Sequence, residues 1–245
     1  MQVQTFFPIF AFSIQYLINM QESTIKLTDY DVAEVIDTFG IHKKIRCQQL
    51  QDWCKATGTL KPYKASFLED VRLHLERDWD SWNEEELKMH FISTVFITAE
   101  IDVEAHIKTF YERPMKGEVN GVEISVICDC MVATSKLSGN PQVPYFFLQE
   151  FAPHLPPKLG GGWGEGDRND PEAQMLVAML LAQQANADGK PLYGAWLQGE
   201  NWYFTVLNGL EYCRSKIYVA TNRTQLEQIV YMLQYVKIVA LTVNS

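Results

Sequence analysis

The chain has 245 residues, 47% apolar and 21% charged, enough to bury a full core in one large domain, or one domain plus a small appendage, and too apolar for a disordered chain. Its formal net charge of -9 speaks against a protein that coats nucleic acid through clustered Lys and Arg. It does not exclude a nuclease, where metal ions bring positive charge to the scissile phosphate.

The five cysteines, Cys47, Cys54, Cys128, Cys130 and Cys213, include no CxxC pair, so neither a disulfide framework nor a structural zinc site is expected and a reducing, cytoplasmic compartment is the simplest reading. Residues 1–20 carry Phe6, Phe7, Phe10 and Phe12 but no Lys or Arg, and Pro8, Gln15 and Asn19 interrupt the run. They fit neither a signal peptide nor a membrane span, and Met20 is an alternative start.

Thr28 to Asp31 can cap a helix carrying Val32, Val35, Ile36 and Phe39, with Gly40 ending it. Helical runs follow around Ile45 to Lys55 and Glu69 to Glu76, so residues 1–80 read as an extension and small helical accessory region, with a second domain over 81–245. Asn83 caps a stronger helix with an acidic first turn, Glu84-Glu85-Glu86, and with Leu87, Phe91, Val95 and, one residue off, Ile92. A turn over Gly117 to Gly121 joins a short strand to Val122 to Cys128, which enters Asp129. After a polar loop comes the aromatic strand Tyr145 to Phe151.

The Gly-rich piece Leu159 to Asp167 lacks a GK[ST] ending and reads as a loop. Asp170-Pro171 starts a helix with Ala173, Leu176, Val177, Leu180 and Leu181 on its buried face. Strands are expected over Leu192 to Leu197, Trp202 to Leu207 and Glu211 to Tyr218, and a last helix from Thr224. The fold class is mixed α/β.

Asp129 and Glu150 lie in or at the end of apolar strands, where an ionised carboxylate costs several kcal/mol to desolvate unless a proton, partner or metal compensates. Strand alternation predicts that Cys128 and Cys130 share one face opposite Asp129, and that Glu150 shares a face with residue 152.

An acidic helix, an Asp at a strand end, a Glu on the next strand and a following Gln-bearing helix is an order that resembles the PD-(D/E)XK nuclease superfamily. The matching residues are Glu86 or its neighbour Glu85, Asp129, Gln149-Glu150-Phe151 and Gln174, with Leu192-Tyr193-Gly194 and Asn201-Trp202-Tyr203-Phe204 downstream. The resemblance implies a restriction-endonuclease-like core, a central mixed β-sheet flanked by helices. It also implies a metal-dependent endonuclease or exonuclease acting on DNA or RNA in bacterial defence or DNA processing. Mg2+ or Mn2+ would be held by Asp129, Glu150, Glu86 and the Phe151 carbonyl, with Gln174 positioned in the site.

Position 152, where the family carries a catalytic lysine, is Ala152. Three readings of this departure compete: an engineered Lys-to-Ala variant, favoured because the rest of the expected site is complete, a naturally inactive pseudonuclease, or an enzyme whose lysine comes from elsewhere, such as Lys158. A non-catalytic module that binds nucleic acid or a partner protein is the runner-up, and residues 1–80 could serve a partner or a second copy. No membrane partner is expected.

Each residue also has a plainer role. Asp129 could close a strand by accepting backbone amides, Glu150 could pair with Lys136, and Glu84 to Glu86 could simply favour a helix N-terminus. His42, His74, His90, His106 and His154 lack metal-ligand spacing, His154 being a candidate phosphate contact. Trp163, Trp196 and Trp202 read as core aromatics before base-stacking ones.

Overall fold

The computed structural model describes residues 31–102, 106–135, 139–152 and 170–243. Helix α1 (Val32–Phe39) begins at the expected cap: Asp31 accepts the amides of Ala33 and Glu34, and Glu34 returns a bond to the Asp31 amide. Gly40, at φ 66°, ends it in the left-handed conformation. A short exposed strand, β1 (His42–Lys44), follows, then α2 (Gln48–Trp53) and α3 (Pro62–Asp78).

The helix from Asn83 comes in three parts: α4 (Glu84–Leu87), a π-helical turn (Lys88–Ile92) and α5 (Ser93–Ala99). Asn83 and Glu86 form a reciprocal capping box at its start. The π turn explains why Ile92 falls one residue out of the apolar period. Its wider spacing lets Phe91 and Ile92, both fully buried, face the core together.

Strands β2 (Ile107–Val119), β3 (Val122–Ser135) and β4 (Pro141–Ala152) come next, then α6 (Pro171–Asn186). The chain closes with β5 (Leu192–Gln198), β6 (Asn201–Asn208), β7 (Glu211–Arg214), β8 (Tyr218–Val219) and α7 (Arg223–Val243).

All eight strands form one mixed sheet in the order β1-β7-β6-β5-β4-β3-β2, with β8 paired to β6. β4 and β5 are parallel neighbours joined through α6, and β1 is parallel to β7. The remaining pairs are antiparallel. Helices cover both faces. One core packs α1 and α6 against the sheet through residues such as Phe39, Met175, Leu176 and Leu148. The other packs α2, α3, the Asn83 helix and α7 through Trp53, Leu75, Phe91, Phe147 and Val230.

This is the α/β architecture expected, a central mixed sheet flanked by helices. The described part of the 1–80 region contributes β1 to the sheet edge and α2 and α3 to the same core as the Asn83 helix.

Several expectations about the strands change. The hairpin turn is Asn120-Gly121 alone, both at positive φ (52° and 81°), and β2 is long rather than short. Gly117 lies inside β2 opposite Ile124, where a Cβ would sit 3.0 Å from Leu181 Cδ2 of α6. The strand expected over Glu211 to Tyr218 divides into β7 and β8, because Tyr218 pairs with Trp202, at the other end of β6 from the Asn208–Glu211 pair.

Cys128 and Cys130 do not share a face: Cys128 belongs to the α6 core and Cys130 to the opposite one. Ile124, Val126 and Cys128 face α6, but beyond Asp129 it is Met131 and Ala133 that do so. The alternation inverts at Asp129. On β2 the same inversion separates Phe110 from Met115, across Glu112, which adopts φ 52°. Glu112 stands across from Asp129, between the register pairs Tyr111–Cys130 and Arg113–Cys128.

Candidate metal centre

The last register pair between β3 and β4 on this side is Cys130–Gln149, and beyond it the two strands part. Asp129 fills the fork. Its Oδ2 accepts the Phe151 amide at 2.8 Å, replacing the backbone acceptor that the diverging ladder no longer provides. The plainer role considered for Asp129, accepting a backbone amide, is therefore real, and it uses one of the two carboxylate oxygens.

Glu150 follows in β4, 1% exposed and opposite Trp196 of β5. Its carboxyl lies against that of Asp129, while Oε1 has no hydrogen-bond partner among the described residues. Burial first, and the neighbouring Asp129 charge second, hold Glu150 well above the usual carboxylate range. Burial also pushes Asp129 up to about 6, against the Phe151 amide and Lys88, which favour its ionised form. The two carboxyls thus behave as a pair in which Glu150 keeps a proton that Asp129 gives up more readily.

Around the free side of Asp129 the fold gathers further charges. Glu84 from α4, Glu112 from β2 and Asp129 each place a carboxylate oxygen within 4.8 Å of the others. Lys88, the first residue of the π turn, lies among them. Its Nζ is 2.5 Å from Glu112 Oε1, 2.7 Å from Glu84 Oε1, 3.5 Å from Glu85 Oε1 and 3.9 Å from Asp129 Oδ1. The same ammonium stands 5.6 Å from the centre of the Phe151 ring. Burial would lower its pKa, but the bonds to Glu112 and Glu84 outweigh it and Lys88 is held firmly protonated.

The expected ligand set and the observed cluster overlap only in part. Asp129 is at the centre, and Glu150 stands behind it rather than within the group of three. Glu86, expected to face a metal, is exposed and returns its carboxylate to the Asn83 amide at 2.9 Å, capping its own helix. Glu84, two residues earlier on the helix, takes the place proposed for it. Gln174 lies half-buried in the first turn of α6, its amide donating to the Asp170 carbonyl at 3.0 Å. Phe151 is tied to Asp129 through its amide, not its carbonyl. Ala152 ends β4 opposite Gln198, its carbonyl accepting the Gly199 amide at 3.0 Å.

No family model matches this chain, and no curated protein matches it in sequence.

Sequence reasoning missed Glu112 and Lys88. A weak signal for Lys88 was present, since Glu84 and Lys88 are spaced i, i+4 on a helix. Glu112 gave none, because its conformation arises from the strand kink. Lys136, Lys158, His154, Trp163 and the Gly-rich loop lie outside the described residues. Of the other aromatics, Trp202 is fully buried and Trp196 stacks on Tyr203 at 3.9 Å inside the protein, so both serve the core. Gly194 belongs to packing as well: a Cβ there would lie 2.7 Å from Met179 Sδ.

The donor set fits a hard divalent cation. Carboxylate oxygens from Glu84, Glu112 and Asp129 are the ligands that Mg2+ and Mn2+ prefer. Glu150 Oε1, buried beside them and without a partner among the described residues, is the kind of acceptor such a charge would satisfy.

Proposed function

We propose that this chain is a PD-(D/E)XK-type phosphodiester hydrolase, with Asp129, Glu84 and Glu112 as divalent-metal ligands and Glu150 as their buried support. Its substrate is nucleic acid, DNA before RNA, in a cytoplasmic role in defence or DNA processing. The observation that carries this reading is the Asp129–Glu150 carboxyl pair at the fork between β3 and β4, joined from outside by two more carboxylates. A buried acid pair is costly to maintain, and groups whose pKa burial and a neighbouring charge shift together cluster at functional sites.

A bound divalent cation supplies Lewis-acid polarisation of a phosphoryl oxygen and lowers the pKa of an attacking water. The chain's own residues prepare for that. The Phe151 amide fixes the Asp129 carboxylate, the Asn83–Glu86 box fixes the first turn that carries Glu84, and the kink at Glu112 turns its carboxylate toward both. Ala152 brings no charge or proton, and for that reason the present chain is assigned a binding-competent but hydrolytically impaired site.

The test is Ala152→Lys in the full chain, assayed with Mg2+ or Mn2+ on single- and double-stranded DNA and on RNA. The expected result is metal-dependent cleavage that disappears when Asp129→Ala is added. A folded Ala152→Lys protein that binds divalent cations but cleaves none of these substrates favours the non-catalytic reading. One that binds no divalent cation removes the metal centre itself.

A further inference from the structure

The acid cluster is built around a cation that the protein carries itself. Lys88 Nζ lies within 4 Å of Glu84, Glu112 and Asp129, the same three residues whose oxygens come within 4.8 Å of one another. Its side chain is only 11% exposed. It leaves the helix at the first residue of the π turn, a distortion that places the side chain differently from a regular α-helical position. Behind the cluster, Glu150 Oε1 is buried and has no hydrogen-bond partner among the described residues although its carboxyl adjoins Asp129, so Lys88 does not satisfy the whole group. With Glu85 Oε1 at 3.5 Å as well, four carboxylates face one ammonium, which leaves a surplus of negative charge that a doubly charged ion in the same place would reduce.

We propose that Lys88 is an internal counter-ion occupying the position of the divalent cation, so that metal binding requires its ammonium to be displaced from Glu84, Glu112 and Asp129. The inference rests on the metal reading of this cluster. It assigns Lys88 a role distinct from that of a catalytic lysine at position 152. Without a divalent ion, Lys88 holds the carboxylates together and stabilises the fold. With one, it competes, and the affinity of the site is set by the difference. Lys88 is a long side chain held among the partly exposed carboxylates of Glu84 and Glu112, and rotation about its own bonds carries the ammonium outward past them without moving the backbone.

The experiment compares the unaltered full chain with Lys88→Met and the smaller change Lys88→Gln. It uses calorimetric titration with MnCl2 and with MgCl2, and thermal unfolding with EDTA or with each metal. Without metal both variants melt at a lower temperature than the unaltered chain. Both bind Mn2+ about tenfold tighter or more, as expected when a competing unit charge a few ångströms away is removed. Their melting temperature rises more on adding metal than that of the unaltered chain. Equal affinity in all three proteins, or weaker binding in the variants, overturns the proposal while leaving the metal centre standing. If none of the three, each shown to be folded by its cooperative melt, binds either metal, the metal reading falls and the proposal with it.

Discussion

The Phe151 amide donates to Asp129 Oδ2 at 2.8 Å across the fork where β3 and β4 separate. One side chain thus does two things: it ends the strand pairing and presents its second oxygen to Lys88 and the neighbouring acids. The two duties can be separated. Asp129→Asn retains a carbonyl acceptor for the amide, whereas Asp129→Ala leaves a half-buried N–H unpaired, a loss of about 1–3 kcal/mol. Urea unfolding with EDTA should place Asn near or above the unaltered chain and Ala below it. Both should lose divalent binding by calorimetry. Equal unfolding midpoints for Asn and Ala would mean that the amide bond contributes nothing.

Glu150 makes stability depend on pH in a defined direction. Its folded-state pKa is well above the ordinary carboxylate value, and that of Asp129 is raised to about 6. Both groups are then more protonated in the folded than in the unfolded chain once pH exceeds about 4, so stability falls as pH rises from there through 6 and beyond. Glu150→Gln removes the larger part. With EDTA at pH 8 it should melt higher than the unaltered chain by roughly 2–4 °C or more, about 1 kcal/mol in a protein of this size. The difference should vanish near pH 4. An unchanged difference across that range would show that Glu150 is not held protonated by the fold.

How much of this could be read in the chain differs from element to element. The caps at Asp31, Asn83 and Asp170 were legible because a side-chain acceptor before an apolar helical period is a local signal. Asp129 and Glu150 stood out because charge inside an apolar strand is costly wherever it occurs. Glu112 was not legible, and Lys88 only through its i, i+4 spacing from Glu84: their meeting with Asp129 requires a π turn and an inverted strand kink, which are consequences of packing rather than of periodicity. Ile92 falling out of phase was the trace of that turn in the sequence. β1 was missed because three exposed residues have no alternation to detect, and they pair only because Leu210 and Glu211 bring β7 alongside.

Glu172 tests how the sheet edge beside α6 is held. It is 4% exposed, accepts the Tyr212 hydroxyl at 2.6 Å and pairs with Arg214 at 2.5 Å and Lys43 at 3.6 Å. Three residues of β1 and β7 thus converge on one carboxylate of α6. Glu172→Ala should cost about 1–3 kcal/mol, chiefly from the buried Tyr212 hydroxyl left unpaired, since Arg214 and Lys43 keep access to water, and Glu172→Gln less, because it can still accept from Tyr212. Denaturant midpoints check the order. Divalent binding at Asp129 should persist in the Gln variant, since nothing in this cluster reaches the acid group.

Glu112 separates the requirements of fold and function most sharply. It is a non-glycine residue at φ 52° in the middle of a long strand, a conformation that costs an ordinary side chain on the order of 1 kcal/mol and glycine much less. Its carboxylate is about half exposed, so its ion pair with Lys88 adds little to stability. Glu112→Gly should therefore unfold at an equal or higher urea concentration than the unaltered chain, with a gain of up to about 1 kcal/mol. Glu112→Ala keeps the strain, loses the charge, and should gain nothing. Both should weaken Mn2+ binding in calorimetric titration to the same degree, because both remove the same oxygen. A residue whose replacement strengthens the fold and weakens the site is kept for the site. If Glu112→Gly is less stable than Glu112→Ala, or binds Mn2+ as well as the unaltered chain, the kink belongs to the architecture of the hairpin and not to the metal centre.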